Sequence, residues 1–256
     1  MAKSVCGEHE VSTFRLELDV GNSSLKWRLM SGAQRLGGGR LADSPAALVE
    51  LLGAGPTVVH IASVRSEERN QELIDTFVLA GVPFSFARSQ RECAGVTNSY
   101  ADIEKMGVDR WLVMVAAFAD CGGPCVVVDA GTALTIDVVS GTGAHLGGYI
   151  IAGAGLSAKA LADHTGRVRF AGEDRVSLVP GVDTEGCVHH GKWLAQLGAV
   201  MAALQQAEVA IGSTAEVYIT GGDAPALISL AGAQGAGWQY REELVLDGLA
   251  VVMTAS

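Results

Sequence analysis

Two stretches of the chain repeat one pattern of apolar and polar positions. In residues 126–139, VVVDAGTALTIDVV, a run of valines ends in Asp129, Ala130 and Gly131 break it, and the run resumes with β-branched residues. β-Branched residues suit a pleated, half-buried surface and glycine suits the turn, so the pattern predicts strand, tight turn, strand. Residues 14–30 read the same way: FRLELDV alternates up to Asp19, Gly21–Ser24 (GNSS) interrupts, and 25–30 alternates again. Asp19 matches Asp129 and Gly21 matches Gly131, 110 positions apart (129 − 19). Solenoid repeats recur every ~20–50 residues, so this separation points to a duplicated domain.

Each predicted tip sets a carboxylate beside a glycine and a hydroxyl. Backbone N–H groups and a hydroxyl can meet phosphate there while the carboxylate faces a cation. One such tip is equally a structural hairpin with polar turn chemistry. Two of them, facing each other across a cleft, would grip a polyphosphate from both sides. Asp137 joins Asp19 and Asp129 as a candidate cation- or phosphate-organising carboxylate, and Mg²⁺ typically needs only one or two of these beside phosphate oxygens and water.

The rest of the chain alternates helix and strand patterns. Residues 44–52 read as a helix with Ser44 as N-cap and Pro45 in the first turn. A strand pattern over 57–64, a helix over 67–80 and a strand over 82–86 follow, which is α/β alternation. Residues 95–100 form a polar loop, and a helix over 110–119 has Asp109 as a natural N-cap. Arg110, beside it, is a good anion-facing donor at a helix start. Asp109 is also a candidate proton acceptor for a substrate hydroxyl in phosphoryl transfer. The breaker Gly122–Gly123–Pro124 sets the domain boundary, giving a leader over 1–13 and domains over 14–122 and 123–256. Beyond the second hairpin, a glycine-rich segment over 147–156 leads into a helix around 157–164 capped by Ser157. A loop carries Arg167, Arg169 and Arg175, and a long helix spans 184–206. A strand over 216–220 runs into Gly221–Gly222–Asp223, a turn that lets a base or ribose approach the backbone. Helices from 224 and over 244–253 close the chain.

Composition narrows the function. Of 256 residues, 49% are hydrophobic and 18% charged, enough for a sizeable core and for one large or two modest domains. The net charge of −10 disfavours a nucleic-acid or anionic-membrane surface. The cysteines (Cys6, Cys93, Cys121, Cys125, Cys187) are scattered, which suits reduced thiols in a cytoplasmic protein. Cys121 and Cys125 flank a turn without a second ligand pair, a poor zinc pattern. No uninterrupted apolar run reaches ~18 residues, so no membrane span is expected, and residues 1–13 read as a disordered leader rather than a signal peptide. His189 and His190 diverge by about 100° on a helix, which favours an exposed pair over a metal site. His60 reads as a core or edge residue. The sequence has no GxxxxGK[ST] element and no HRD or DFG set, so P-loop and protein-kinase machinery are excluded.

DVGNSSLK (19–26), GVDRW (107–111), DAGTALTID (129–137), GGYIIAGAG (147–155) and GGD (221–223), in that order, resemble the type III pantothenate kinases of the actin/hexokinase/Hsp70-like ATPase superfamily. Bvg accessory factor-type regulators share that fold. The resemblance implies an α/β protein of two duplicated ribonuclease H-like (actin-like ATPase) domains with a central cleft. It implies an ATP-dependent phosphotransferase that converts pantothenate to 4′-phosphopantothenate, the first step of coenzyme A biosynthesis, as a cytoplasmic homodimer using Mg²⁺ with K⁺ or NH₄⁺. Asp19, Val20, Gly21, Asn22, Ser23, Ser24, Leu25 and Lys26 resemble the ATP phosphate loop, and Thr132 a further phosphate contact. Asp109 resembles the proton acceptor; Tyr100, Gly107, Val108 and Arg110 resemble the pantothenate-binding residues around it. Thr184 corresponds to a threonine supplied across the dimer interface, and Asp129 to the monovalent-cation ligand. Ser23 stands where the family commonly has threonine, and Ala152 where it usually has proline. The rival readings are a non-catalytic Bvg accessory factor-like regulator and another small-molecule kinase of the superfamily.

Overall fold

The computed structural model describes residues 14–22, 24–42, 44–165 and 175–255. The expectations for residues 1–13, for Ser23, and for Arg167 and Arg169 lie outside them. The chain divides into two compact units, one ending at Ala87 and one beginning at Arg88.

The first unit contains β1 (Phe14–Val20), β2 (Leu25–Ser31), β3 (Gln34–Leu41), α1 (Pro45–Leu52), β4 (Val58–Ser63), α2 (Glu67–Ala80) and β5 (Phe84–Phe86). Its sheet has the order β3-β2-β1-β4-β5. The first three strands are an antiparallel meander, and β4 and β5 run parallel to β1. Alternation along a strand gives each face its own residues. Leu16, Leu18 and Val20 face a core with Val59, Ile61, Leu48 and Leu52 of α1, and Leu73 and Phe77 of α2. The other face is charged. Glu17 is fully buried there and accepts Nε–H from Arg28 at 2.7 Å and from Arg15 at 2.8 Å. His60 stands beside Glu17 in the β1–β4 register, its pKa drawn down by burial and by Arg15 against the pull of Glu17. Strand β3 went unread in the sequence because of its three glycines; Trp27 covers Gly37 and Gly39.

The second unit opens with a ribbon, β6 (Glu92–Cys93) and β7 (Val96–Thr97), and a 3₁₀ turn at Ile103–Lys105. Then come α3 (Val108–Cys121), β8 (Cys125–Ala130), β9 (Ala133–Val139), β10 (His145–Ala152), α4 (Ala154–His164) and α5 (Thr184–Ile211). They are followed by β11 (Glu216–Thr220), α6 (Ala224–Ala231), β12 (Gln239–Tyr240) and α7 (Leu244–Thr254). The sheet order is β10-β9-β8-β11-β12, again with a meander and two strands parallel to its first. The duplication read from two hairpins thus extends strand for strand through both sheets. Val126, Val128, Ala130, Leu134 and Ile136 face a core closed by Trp193, Leu197 and Val200 of α5 and Leu227 of α6.

Helix α3 covers the opposite face and is fastened at both ends. Arg110 in its first turn holds Asp137 of β9, and Asp120 in its last turn accepts the Tyr218 hydroxyl of β11 at 2.7 Å. That hydrogen bond holds Asp120 below the usual carboxylate range despite opposing desolvation, while burial pushes the Tyr218 phenol up. Helix α7 packs on α3, and the carbonyl of Leu112 occupies the space a Cβ on Gly248 would need. These contacts explain where the compact units part. The turn at 122–124 separates the two sheet repeats, but α3, which ends the first repeat, packs with the second.

Several local readings change. Helix α3 starts at Val108 with Gly107 as N-cap, so Asp109 lies inside the first turn rather than capping it. Helix α4 starts at Ala154 with Gly153 as N-cap. Ser157 lies within it and donates back to the carbonyls of Gly153 and Ala152 at 2.9 and 3.1 Å. The glycine-rich segment before it is strand β10. His189 is buried, at 4% exposure, rather than exposed. Among the described residues one helix, α5, is long and apolar enough to cross a membrane by length and composition. Its buried side chains join the core beneath the sheet.

Candidate active site

In the first unit, Val20 and Leu25 pair at the base of the hairpin tip, and Gly21 N–H reaches the Ser24 carbonyl at 2.9 Å. Asp19 and Lys26 stand directly opposite each other in the β1–β2 register, so Lys26 sits beside the tip. Arg65 Nε donates to the Gly21 carbonyl at 3.0 Å, and Arg65 N–H donates to Ser63 Oγ at 3.3 Å. Nothing in the sequence pattern marked Arg65 as a support of this loop.

In the second unit, Ala130 and Leu134 pair below the tip, and Gly131 N–H reaches the Ala133 carbonyl at 3.0 Å. Two glycine segments brace it. Gly153 N–H donates to the Thr132 carbonyl at 3.0 Å, and a Cβ there would meet that carbonyl at 2.6 Å. Gly221, at φ +94°, lies so close to Asp129 that a Cβ would stand 2.6 Å from Oδ1, and Asp223 N–H donates to the Ala130 carbonyl at 2.9 Å. Asp129 stands across from Thr135 on β9 and Thr220 on β11, two hydroxyl residues where Asp19 faces a lysine. A carboxylate beside hydroxyl residues and carbonyls is a hard-oxygen setting that fits a cation. Among the described residues no group of three or more His, Cys, Asp or Glu side chains could hold a metal. Ala152, which stands where the resembled family usually has proline, pairs with Ala133, and its carbonyl accepts Gln196 Nε2–H at 2.9 Å, so the ladder and Gln196 supply the restraint.

The acceptor half of the expected site gathers at the start of α3. Asp109 is half-buried, and its Oδ1 accepts Arg110 N–H at 2.7 Å. Burial pushes the Asp109 carboxyl above the ordinary range, and the Arg110 N–H and guanidinium only partly offset it. Gly107 makes room for the carboxylate, since a Cβ there would stand 2.6 Å from Oδ1. Arg110 is 5% exposed and Asp137 fully buried. They form a two-pronged pair, Nε to Oδ2 at 2.9 Å and Nη2 to Oδ1 at 2.5 Å, while Nη1 reaches the Tyr100 hydroxyl at 2.8 Å. Burial opposes the Arg110 charge, but these bonds outweigh it and keep the cation. Asp137 therefore neutralises Arg110 rather than serving a cation or phosphate, and Arg110 is committed to Asp137 and Tyr100 before any anion arrives. The pair needs Gly148 opposite Asp137, where a Cβ would meet Oδ1 at 2.5 Å and Arg110 Nη2 at 2.9 Å.

Tyr100, Gly107, Val108, Asp109 and Arg110 thus come together, and Thr184 does not join them. It is exposed at the start of α5 and lines a cavity of about 590 Å³ with Ser157, Leu161, Val182 and Lys192.

The motif for type III pantothenate kinase matches residues 15–206. The type III pantothenate kinase of Pseudomonas aeruginosa strain PAO1 is 39% identical over 245 residues, covering 92% of this chain and 97% of that protein. The Pseudomonas putida KT2440 enzyme of the same name is 42% identical over 220 residues, covering 82% and 88%. The chain belongs to the type III pantothenate kinase family. Family membership bears out the expected pantothenate kinase and ATP-dependent phosphotransferase, and implies ATP with a divalent metal. Among solved structures, one from Campylobacter jejuni assigned to the Baf family of transcriptional activators has a TM-score of 0.58 at 21% identity, covering 93% of this chain and 97% of that one. One from Sinorhizobium meliloti assigned as a 2-dehydro-3-deoxygalactonokinase has a TM-score of 0.61 at 16% identity, covering 94% and 98%. These likenesses bear out the actin-like ATPase fold.

Proposed function

We propose that this chain transfers the γ-phosphate of ATP to the primary hydroxyl of pantothenate, giving 4′-phosphopantothenate and ADP at the first step of coenzyme A biosynthesis. The observation that carries the reading is Asp109. It is a carboxylate at a helix start with its pKa raised by burial, fixed beside an Arg110–Tyr100 pair that is already assembled. A raised pKa makes a carboxylate a better proton acceptor near neutrality. Asp109 takes the hydroxyl proton as the oxygen bonds to phosphorus and the bond to the ADP oxygen breaks. Because such transition states are loose, orienting the hydroxyl counts for as much as basicity. Tyr100, Gly107, Val108 and Arg110 bind the pantothenate.

Residues 19–26 bind the ATP phosphates, with Lys26 beside Asp19 as the cationic contact, and Thr132 adds a hydroxyl. Mg²⁺ bound with ATP would supply charge neutralisation on the phosphates, and Asp129 would hold the K⁺ or NH₄⁺. The protein acts as a cytoplasmic homodimer in which Thr184 serves a second copy. The exposed Ile150, Leu156, Leu161, Val179, Leu194 and Val182, the last 99% exposed, support that assembly. Purified protein with pantothenate, Mg-ATP and K⁺ should release ADP and form 4′-phosphopantothenate. Binding of ATP without ADP release would sink the reading and leave a non-catalytic regulator on the same fold.

A further inference from the structure

Five side chains close a ring inside the second unit. Ser99 Oγ lies 2.9 Å from His145 Nδ1, and His145 Nε2 lies 3.1 Å from Asp137 Oδ1. Asp137 takes Arg110 through both oxygens, and Arg110 Nη1 donates to the Tyr100 hydroxyl at 2.8 Å. Tyr100 follows Ser99 in the chain, so a peptide bond completes the circuit. The His145 ring also stacks on Tyr100, with centroids 6.2 Å apart and 27° between the planes.

For a neutral His145 ring, each hydrogen in the circuit has one assignment. An ionised carboxylate only accepts, so His145 Nε2 carries the hydrogen toward Asp137. In the neutral imidazole Nδ1 is then the acceptor, and Ser99 supplies its hydroxyl hydrogen. Arg110 only donates, so the Tyr100 oxygen accepts and keeps its own hydrogen for another acceptor. The backbone holds the partners in place. Thr97 N–H donates to the Gly143 carbonyl at 2.9 Å, and Gly143, at φ +81°, lies against the Gly95 carbonyl where a side chain would collide. That contact presses the segment bearing Ser99 and Tyr100 onto the turn that precedes His145.

We propose that His145 is a positioning residue for the alcohol substrate, an inference that rests on the pantothenate reading above. It fixes the Asp137 carboxylate through Nε2 and the Tyr100 ring through stacking, and so sets Arg110 and Tyr100 beside Asp109. Packing alone would not ask for a ring with both nitrogens bonded into the site.

His145→Phe keeps the ring and loses both hydrogen bonds; His145→Gln keeps an amide donor toward Asp137. His145→Phe is expected to raise KM for pantothenate about tenfold, the effect of a lost buried hydrogen bond to a charged group. KM for ATP and kcat should stay within about twofold, and His145→Gln should recover most of the loss. Nitrogen-15 NMR of the wild type should find the neutral ring as the Nε2–H tautomer. An unchanged KM for pantothenate in His145→Phe, parallel loss of both KM values with Tm, or an Nδ1–H tautomer would each overturn the assignment. If His145→Phe fails to fold, the tautomer and the His145→Gln kinetics decide. Wild-type protein that leaves pantothenate unphosphorylated sinks the proposed reaction, and this role with it, before any variant is made. Normal turnover with an indifferent His145 sinks only this role.

Discussion

The two sheets have the same strand order, yet they differ at one register step beneath their hairpin tips. Two residues before Asp19, Glu17 of β1 lies across from Arg28 of β2. Two residues before Asp129, Val127 of β8 lies across from Asp137 of β9. In the first unit the buried charge pair is therefore closed within the sheet. In the second, the sheet supplies only the carboxylate, and its arginine arrives from the first turn of α3. A buried charge needs its partner, so the Asp137–Arg110 bond fixes the start of α3 on the sheet, and Asp109 with it. Duplication provided two copies of one scaffold, and in the second the buried ion pair reaches out of the sheet to hold a helix start.

The largest break in this comparison is Asp109→Asn. The amide still accepts Arg110 N–H but cannot take a proton, so kcat should fall by about 10²–10⁴ while ATP binding holds. Equal activity would remove Asp109 from the chemistry. Stability should move the other way. Burial raises the Asp109 pKa, so the folded chain keeps that proton to higher pH than the unfolded chain does. The stabilisation this gives is complete below the unfolded value and is lost as pH rises through the folded one. At neutral pH the variant should therefore melt at or above the wild-type temperature. The wild-type rate should fall as pH drops through the raised value, a limb above the ordinary ~4 of aspartate.

Asp137→Leu strands Arg110 in the interior and should cost about 3–5 kcal/mol by chemical denaturation. Glu17→Leu should cost less, because one of its two arginines, Arg15, is partly exposed. The comparison sharpens in the kinetics of the surviving protein: KM for pantothenate should rise for Asp137→Leu and not for Glu17→Leu. Equal kinetic effects would mean the two ion pairs do the same job. Gly148→Ala tests the same pair by crowding, with an expected loss of about 1–3 kcal/mol from overpacking.

The duplicated topology was legible because a strand's period of two and the Asp-x-Gly tips survive in both copies. Strands β3 and β10 were not, since glycine carries no hydrophobic signal; only tertiary neighbours, Trp27 in one case and the Arg110–Asp137 pair in the other, explain it there. Asp109 and Arg110 stand out in the sequence as a helix-start pair and Tyr100 through the family resemblance, whereas Asp137, a candidate cation- or phosphate-organising carboxylate in the sequence, is taken up by Arg110. A carboxylate's partner 27 positions away (137 − 110) leaves no mark in local spacing. His145 and Ser99 were missed for the same reason. The expected boundary marks where the sheet repeats, whereas packing of α3 on α7 decides where the compact units part.

The smallest test concerns how helices begin. In the first unit serine side chains cap both helices: Ser44 accepts Ala47 N–H at 3.3 Å and Ser66 accepts Arg69 N–H at 3.5 Å. Helices α3 and α4 start instead at Gly107 and Gly153, without a side-chain cap bond. Those glycines leave room, for the Asp109 carboxylate at one and for the second hairpin tip at the other. A cap is worth about 1 kcal/mol. Ser66→Ala should lose roughly that in denaturant titrations with unchanged kinetics. Gly153→Ala, which puts a poor N-cap residue there, should slow turnover, because its Cβ pushes on the Gly131 and Thr132 carbonyls. If both substitutions affected stability alone, the glycine starts would be no more than another way to begin a helix.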